Sequence, residues 1–239
     1  MNHDDLLNSF KTILEQQDLS DSSITSYLQG IKVFTSWALD FYQQEISLLE
    51  ITSNDLRAYR EFISKIQRRK PATINHHIQV LKRFYSWASQ TNLIHNNPAA
   101  ALHFVKRTTI TKPSALNKDE VHALLRAAGL SVHGLAIRNY AIVQLLLQSG
   151  LRIGELHNLL IKDVVIRERS GFVNVVDGKG RKHREIPLNS VARRALARYL
   201  ETRHPVEPDD FLFTTKRGEP GSIRSLQILV SSLAKRANI

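Results

Sequence analysis

Ser149-Gly150-Leu151-Arg152-Ile153-Gly154-Glu155-Leu156 is the stretch on which the reading of this chain turns. The residues before it, Tyr140-Ala141-Ile142-Val143-Gln144-Leu145-Leu146-Leu147, are apolar nearly all round, which marks a helix in the middle of a core rather than at a surface. Gly150 ends that helix. Arg152 follows two residues later, at the start of the next helix, and so projects from a rigid corner. A guanidinium there can present its planar fork to two oxygens of one phosphate, with the helix N-terminus adding a positive dipole end. Taken alone, the same arginine could instead pair with a carboxylate such as Glu155 and only hold the corner.

Beyond the corner, β-prone runs occur at Val164-Val165-Ile166, Phe172 to Val176 and His183 to Ile186, joined by Ser170-Gly171 and by Asp177-Gly178-Lys179-Gly180. They predict a small antiparallel sheet inserted among helices. Lys179, between two glycines at a hairpin tip, is a cation on a flexible arm that can neutralise charge or protonate a leaving oxygen in phosphoryl transfer. In isolation it is also what an ordinary solvated turn contains. It is no nucleotide-binding P-loop, since the G-x-x-x-x-G-K spacing and the following Ser or Thr are missing. Arg181, Lys182 and Arg184 continue the charge and read as contacts to backbone phosphates. Helix returns at Ser190 to Leu200, a short strand is expected at Phe211-Leu212-Phe213, and a last helix starts near Ser222.

Toward the N-terminus the pattern is helical throughout. Ile24, Tyr27, Leu28, Ile31, Phe34 and Ala38 recur at helical spacing, as do Ile74, Ile78, Leu81, Tyr85 and Ala88. The two stretches also resemble each other fifty positions apart, with Ile24, Gln29, Lys32, Phe34, Ser36, Trp37 and Ala38 recurring as Ile74, Gln79, Lys82, Phe84, Ser86, Trp87 and Ala88. Two copies are too few for a solenoid, so they predict paired helices in one bundle. Ser53-Asn54-Asp55 is expected to cap a helix through Phe62 and Ile66, and Pro71 suits the first turn of the next. Asn117 with Glu120 predicts a capping box for a further helix, with Val121, Leu124, Leu125 and Ala128 as its buried stripe. The expected organisation is a helical domain over residues 1–104, a polar, basic linker over 105–115 and a second domain over 116–239. The fold class is therefore mainly α with a small antiparallel β-sheet (α+β).

Charge is distributed unevenly over the 239 residues. Residues 1–56 carry two Lys/Arg against nine Asp/Glu, residues 57–112 eleven against one, and the remainder twenty against twelve, for a net +11. Such a basic excess points to nucleic acid, because each phosphate neutralised releases a counterion, while solubility alone needs only a modest net charge. Within the basic stretch Arg68, Arg69, Lys70, Lys82, Arg83, Lys106 and Arg107 are the expected DNA contacts. There is no cysteine, which excludes disulfides, thiolate zinc sites and a cysteine nucleophile. Ten histidines include the adjacent pair His76-His77, which face different directions on a helix, so no metal site is expected. The six tyrosines mostly fall on apolar helix faces and read as core. No apolar run approaches the roughly 18 residues of a membrane span, and Met1-Asn2-His3-Asp4-Asp5 lacks the features of a signal peptide, so a cytoplasmic location without membrane contact is expected.

Together these motifs resemble the tyrosine recombinase (phage integrase) family, most of all its two-domain Xer-like members, over nearly the whole chain. Pro71-Ala72-Thr73-Ile74-Asn75, Phe84-Tyr85-Ser86-Trp87-Ala88 and Asn96-Asn97-Pro98 resemble its core-binding domain, a SAM-like bundle of four or five helices that clamps one face of DNA. Ser149 to Leu156 resembles the box of the first catalytic arginine, and Asp177 to Leu188 the hairpin of the catalytic lysine. The resemblance implies that Arg152 binds non-bridging oxygens of the scissile phosphate, Lys179 assists the leaving 5′-hydroxyl and Glu155 supports the arginine. It further implies cleavage and rejoining through a 3′-phosphotyrosyl bond without metal or nucleotide cofactor, by four subunits on two duplexes. The family's second His/Arg box, its later His or Trp and its nucleophilic tyrosine lie beyond a helix like that starting at Ser222. The expectation is therefore a truncated recombinase that binds DNA without cutting it and is monomeric without DNA. A non-catalytic DNA-binding module or regulator derived from a recombinase is the alternative. A type IB topoisomerase shares the phosphotyrosine chemistry, but the helical N-terminal part favours the recombinases.

Overall fold

The computed structural model describes residues 3–106, 114–130, 135–176, 183–203 and 205–239. The chain divides into two compact units, Met1–Lys112 and Pro113–Ile239.

In the first unit the helices are α1 (His3–Gln16), α2 (Asp21–Tyr42), α3 (Ser53–Glu61), which runs on through a π-turn at Phe62–Ile66, and α4 (Pro71–Gln90). Local chemistry sets their ends. The Ser20 hydroxyl accepts from the Ser23 N–H to start α2, and Pro71 occupies the first turn of α4 as expected. At α3 the cap is Thr52, one residue before the expected Ser53-Asn54-Asp55. The Asp55 carboxylate reaches back over one turn and accepts the Thr52 N–H at 2.8 Å and its hydroxyl at 2.9 Å. Phe10, Phe34, Tyr59, Phe84 and Tyr85 fill the core, with Phe10 on Phe84 and Phe34 on Tyr59 meeting edge to face.

The helices that resemble each other fifty positions apart also touch each other. Ile24 and Ile74, Phe34 and Phe84, Trp37 and Trp87, and Ala38 and Ala88 are all buried. Gly30 lies against Val80, where an added Cβ would stand 2.9 Å from both methyls, and the Ser26 hydroxyl hydrogen-bonds His76 Nε2 at 3.1 Å. Both contacts join a residue to its own counterpart, so α2 and α4 pack in register along their matched positions.

The second unit opens with α5 (Lys118–Gly129), capped by the expected reciprocal pair: Asn117 Oδ1 accepts from the Glu120 N–H, and the Glu120 carboxylate from the Asn117 N–H. Its buried stripe is Leu124, Ala127 and Ala128, with Val121 only half-buried. Helix α6 (Ala136–Ser149) is central. Ala141, Ile142 and Leu145 join the main core, while Val143 and the flanking Tyr140 and Leu147 close a smaller cluster with α5. Gly150 adopts φ 63° and ψ 22°, its N–H bonded to the Leu146 carbonyl, which is the left-handed stop the sequence announces.

Then come α7 (Ile153–Asn158), a 3₁₀ turn (Ile161–Asp163), and the strands β1 (Val164–Ile166), β2 (Gly171–Val176) and β3 (His183–Pro187), which form an antiparallel sheet in chain order. Helices α8 (Ser190–Glu201) and α9 (Ile223–Arg236) complete the described elements. The strand expected at Phe211-Leu212-Phe213 is instead a single bridge from Phe211 to Leu160, with the Leu212 N–H on the Leu159 carbonyl at 2.7 Å. Its partner segment leaves α7 and enters the 3₁₀ turn at once, so no ladder can lengthen. Mainly helical with a small antiparallel sheet, the fold class is the one expected. No described helix is long and apolar enough to cross a membrane.

Candidate functional site

Arg152 is the N-cap of α7, held two residues beyond the left-handed Gly150. The carboxylate of Glu155, one turn into the helix, accepts the Arg152 main-chain N–H at 2.9 Å on Oε2 and its Nη1 at 3.0 Å on Oε1. A second guanidinium reaches the same carboxylate from the sheet: Arg184 Nη2, on β3, lies 2.7 Å from Oε2. The side chain of Glu155 is only 8% exposed, that of Arg184 39%, and that of Arg152 74%. A buried anion thus anchors two arginines, one of which stands mostly in solvent.

The electrostatics follow from that arrangement. The Arg184 hydrogen bond, with the Arg152 N–H and guanidinium, holds the Glu155 carboxyl at about 2, below its ordinary 4.5, against burial, which pushes it up. Glu155 therefore stays ionised and the corner keeps a net positive charge. It orients a guanidinium without neutralising the pair, which suits the capture of a phosphate at the exposed side.

Arg184 was expected among the backbone-phosphate contacts, yet it joins the arginine corner. Alternation along β3 carries the signal: His183, Glu185 and Pro187 are exposed, while Arg184 and Ile186 share the inward face. Lys179, Arg181 and Lys182 lie outside the described residues. The β2–β3 ladder described on either side of them ends at the pair Val176 and His183.

In the first unit the expected DNA contacts separate. Arg68, Arg69 and Lys70 form an exposed run leading into α4, with Arg68 at φ 48° and Lys70 as the N-cap. Lys106 is exposed, and Arg107 lies outside the described residues. Lys82 differs from expectation. Its ammonium donates to the carbonyls of Ala99 (3.1 Å) and Ala100 (3.3 Å), tying α4 to the segment that follows it and leaving little for a phosphate. Arg83 donates to Gln17, the residue just beyond α1.

Within the second unit, neither Tyr140 nor Tyr199 joins the corner. Tyr59, Tyr85 and Tyr199 are at most 3% exposed, and the Tyr199 hydroxyl accepts from the Thr214 N–H. Tyr27, Tyr42 and Tyr140 pack against the cores of their units. Among the described residues no cluster of three or more His, Asp or Glu side chains could hold a metal ion.

This bundle, corner and hairpin coincide with known sequence families. Residues 114–239 match the phage integrase family, and residues 6–95 match the N-terminal SAM-like domain of phage integrases. The chain belongs to the phage integrase family. Among similar proteins, tyrosine recombinase XerD of Ralstonia nicotianae is 27% identical over 228 residues, covering 94% of this chain and 71% of the relative. Tyrosine recombinase XerC of Shewanella amazonensis is 34% identical over 193 residues, covering 80% of this chain and 61% of the relative. In fold, the chain is similar to a lambda integrase dimer bound to a COC′ core site, with a TM-score of 0.73 at 21% identity, over 100% of this chain and 82% of that one.

Proposed function

We propose that this chain binds duplex DNA as a site-specific tyrosine recombinase does, and that Arg152 grips non-bridging oxygens of the phosphate to be cut. The observation that carries this reading is the exposed Arg152 guanidinium, fixed by a buried, ionised Glu155 that Arg184 also holds. Preorganised cations of this kind stabilise charge that develops on phosphate oxygens in a transition state. Lys179 belongs to the same reading as the group that assists the leaving 5′-hydroxyl, and Glu155 as the support of the arginine. Arg68, Arg69, Lys70 and Lys106 are its backbone-phosphate contacts in the first unit, whose helical residues 1–104 act as the DNA-clamping domain. Residues 116–239 carry the phosphate-gripping site.

In a recombinase of this type the chemistry would run through a 3′-phosphotyrosyl bond, conserve the bond energy, need no metal or nucleotide, and engage four subunits on two duplexes in the cytoplasm. Residues 1–239 by themselves bind without cutting. What supports this is the engagement of their tyrosines: Tyr59, Tyr85 and Tyr199 are buried in the cores of their own units, and Tyr27, Tyr42 and Tyr140 pack against those cores. The same engagement favours a second reading, a recombinase-derived module that occupies DNA sites without processing them.

A nicked suicide duplex tests the proposal. The 239-residue chain is expected to shift the duplex in a gel and to leave no covalent adduct after denaturation. An adduct that survives denaturation overturns the non-cutting reading, and failure to shift the duplex overturns DNA binding.

A further inference from the structure

At the opposite end of α6 from the arginine corner lies a cavity of about 190 Å³, lined among others by Arg138, Thr202, Arg203, Thr214, Thr215 and Lys216. Arg138 sits in the first turn of α6 and Gly150 caps its last, so the 14-residue helix separates cavity and corner by roughly 20 Å at 1.5 Å per residue. The two sites are distinct.

The cavity gathers positive charge without a partner for it. Arg138 is half-buried, and its hydrogen bonds go to neutral acceptors: Nε and Nη2 to Asn139 Oδ1 at 3.1 and 2.9 Å, and Nη1 to the Thr214 carbonyl at 2.7 Å. Burial pushes its guanidinium down from the ordinary value, and the one group opposing that push is the Tyr199 phenol. Arg203 is anchored by Nη1 to the carbonyls of Phe211 (2.6 Å) and Leu212 (2.7 Å), with its Cζ 5.9 Å from the Tyr199 ring centre. Among the described residues no carboxylate forms an ion pair with Arg138, Arg203 or Lys216.

A guanidinium withdrawn from water without a counter-charge is unfavourable, and two sharing one cavity are more so. Each has guanidinium N–H donors beyond those its main-chain and amide acceptors take up. Both are already immobilised, so a ligand meets them with little ordering cost. The volume falls below the roughly 300–1,000 Å³ of sites for drug-sized molecules, which leaves room for a small tetrahedral ion and water.

We propose that this cavity is a binding site for a phosphate-type oxyanion, coordinated by Arg138, Arg203 and Lys216 with hydroxyls of the lining threonines. Its natural occupant is either a phosphodiester of bound DNA or a free phosphate ion, and the chemistry is the same in both. A DNA phosphate there would extend the protein's footprint well beyond the arginine corner.

Calorimetric titration of the whole chain with inorganic phosphate, at constant ionic strength and with chloride as the control anion, tests the site. With Arg152→Ala as the background, which removes the phosphate-gripping corner, saturable binding with one site is expected. Arg138→Gln and Lys216→Ala should each weaken it about tenfold, the scale of a lost hydrogen bond to a charged group. Lys216 is exposed and hydrogen-bonds to none of the described residues, so K216A keeps the test decisive should R138Q unfold. If a duplex displaces the phosphate, the occupant is a DNA phosphodiester; if duplex and phosphate bind independently, it is a free ion. A flat phosphate titration, or saturable binding that K216A leaves unchanged, overturns the proposal.

Discussion

Glu155 ties the N-cap of α7 to β3 through one carboxylate, and its titration reports whether the corner is built as described. Its folded pKa of about 2 lies below the ordinary 4.5, so its contribution to stability is complete above about pH 4.5 and is lost as the pH falls toward 2. Unfolding midpoints measured across that window should fall more steeply for the native protein than for Glu155→Gln. In Arg184→Gln the carboxyl titration, followed by carbon NMR, should move up from about 2. An unmoved titration would mean that the Arg184 contact does not govern the carboxylate. At this scale the sequence is explicit about Arg152, because a helix-stopping glycine two residues before it leaves few places for the side chain to go. It is less explicit about Arg184, whose role depends on which face of β3 turns inward, and a cluster of four basic residues near a hairpin obscures that alternation.

Among the elements, those set by local chemistry are the ones legible in the chain. Pro71 at the head of α4, the Asn117 and Glu120 box at α5 and Gly150 at the end of α6 each act within one turn. What was not legible depends on partners distant in sequence. The 211–213 segment has strand-forming residues but meets only the short exit of α7, so it forms one bridge. The internal duplication lies between these cases: matching residues fifty apart suggest that α2 and α4 pair, while the register had to come from the fold. Gly30 is the close point of that pairing. Gly30→Ala should destabilise the first unit by about 1–3 kcal/mol, the usual scale of overpacking, because its Cβ would press on both Val80 methyls. Thermal or urea unfolding checks this, and a companion Val80→Ala, which opens the space, should recover part of the loss.

Over the whole chain an acidic N-terminal segment gives way to two net-basic ones, the charge pattern on which the proposed DNA binding rests. Residues 57–112, with eleven basic residues against one acid, contribute the strongest positive stretch. Binding to duplex DNA should therefore weaken steeply with salt, with a log–log slope of about −0.9 for each phosphate contacted. A nearly flat dependence would leave the basic surface without a role. Lys82 and Arg83, already hydrogen-bonded to Ala99, Ala100 and Gln17, should contribute less to that slope than Arg68, Arg69 and Lys70.

The most direct test pairs a change in the protein with a change in the DNA. A series of duplexes, each with one uncharged methylphosphonate in place of a backbone phosphate, is bound by the native chain and by Arg152→Ala. If the exposed guanidinium grips one particular phosphate, a single position in the series should weaken the native chain while leaving Arg152→Ala unaffected by that same replacement. Equal losses for both proteins at every position would contradict the account at its centre.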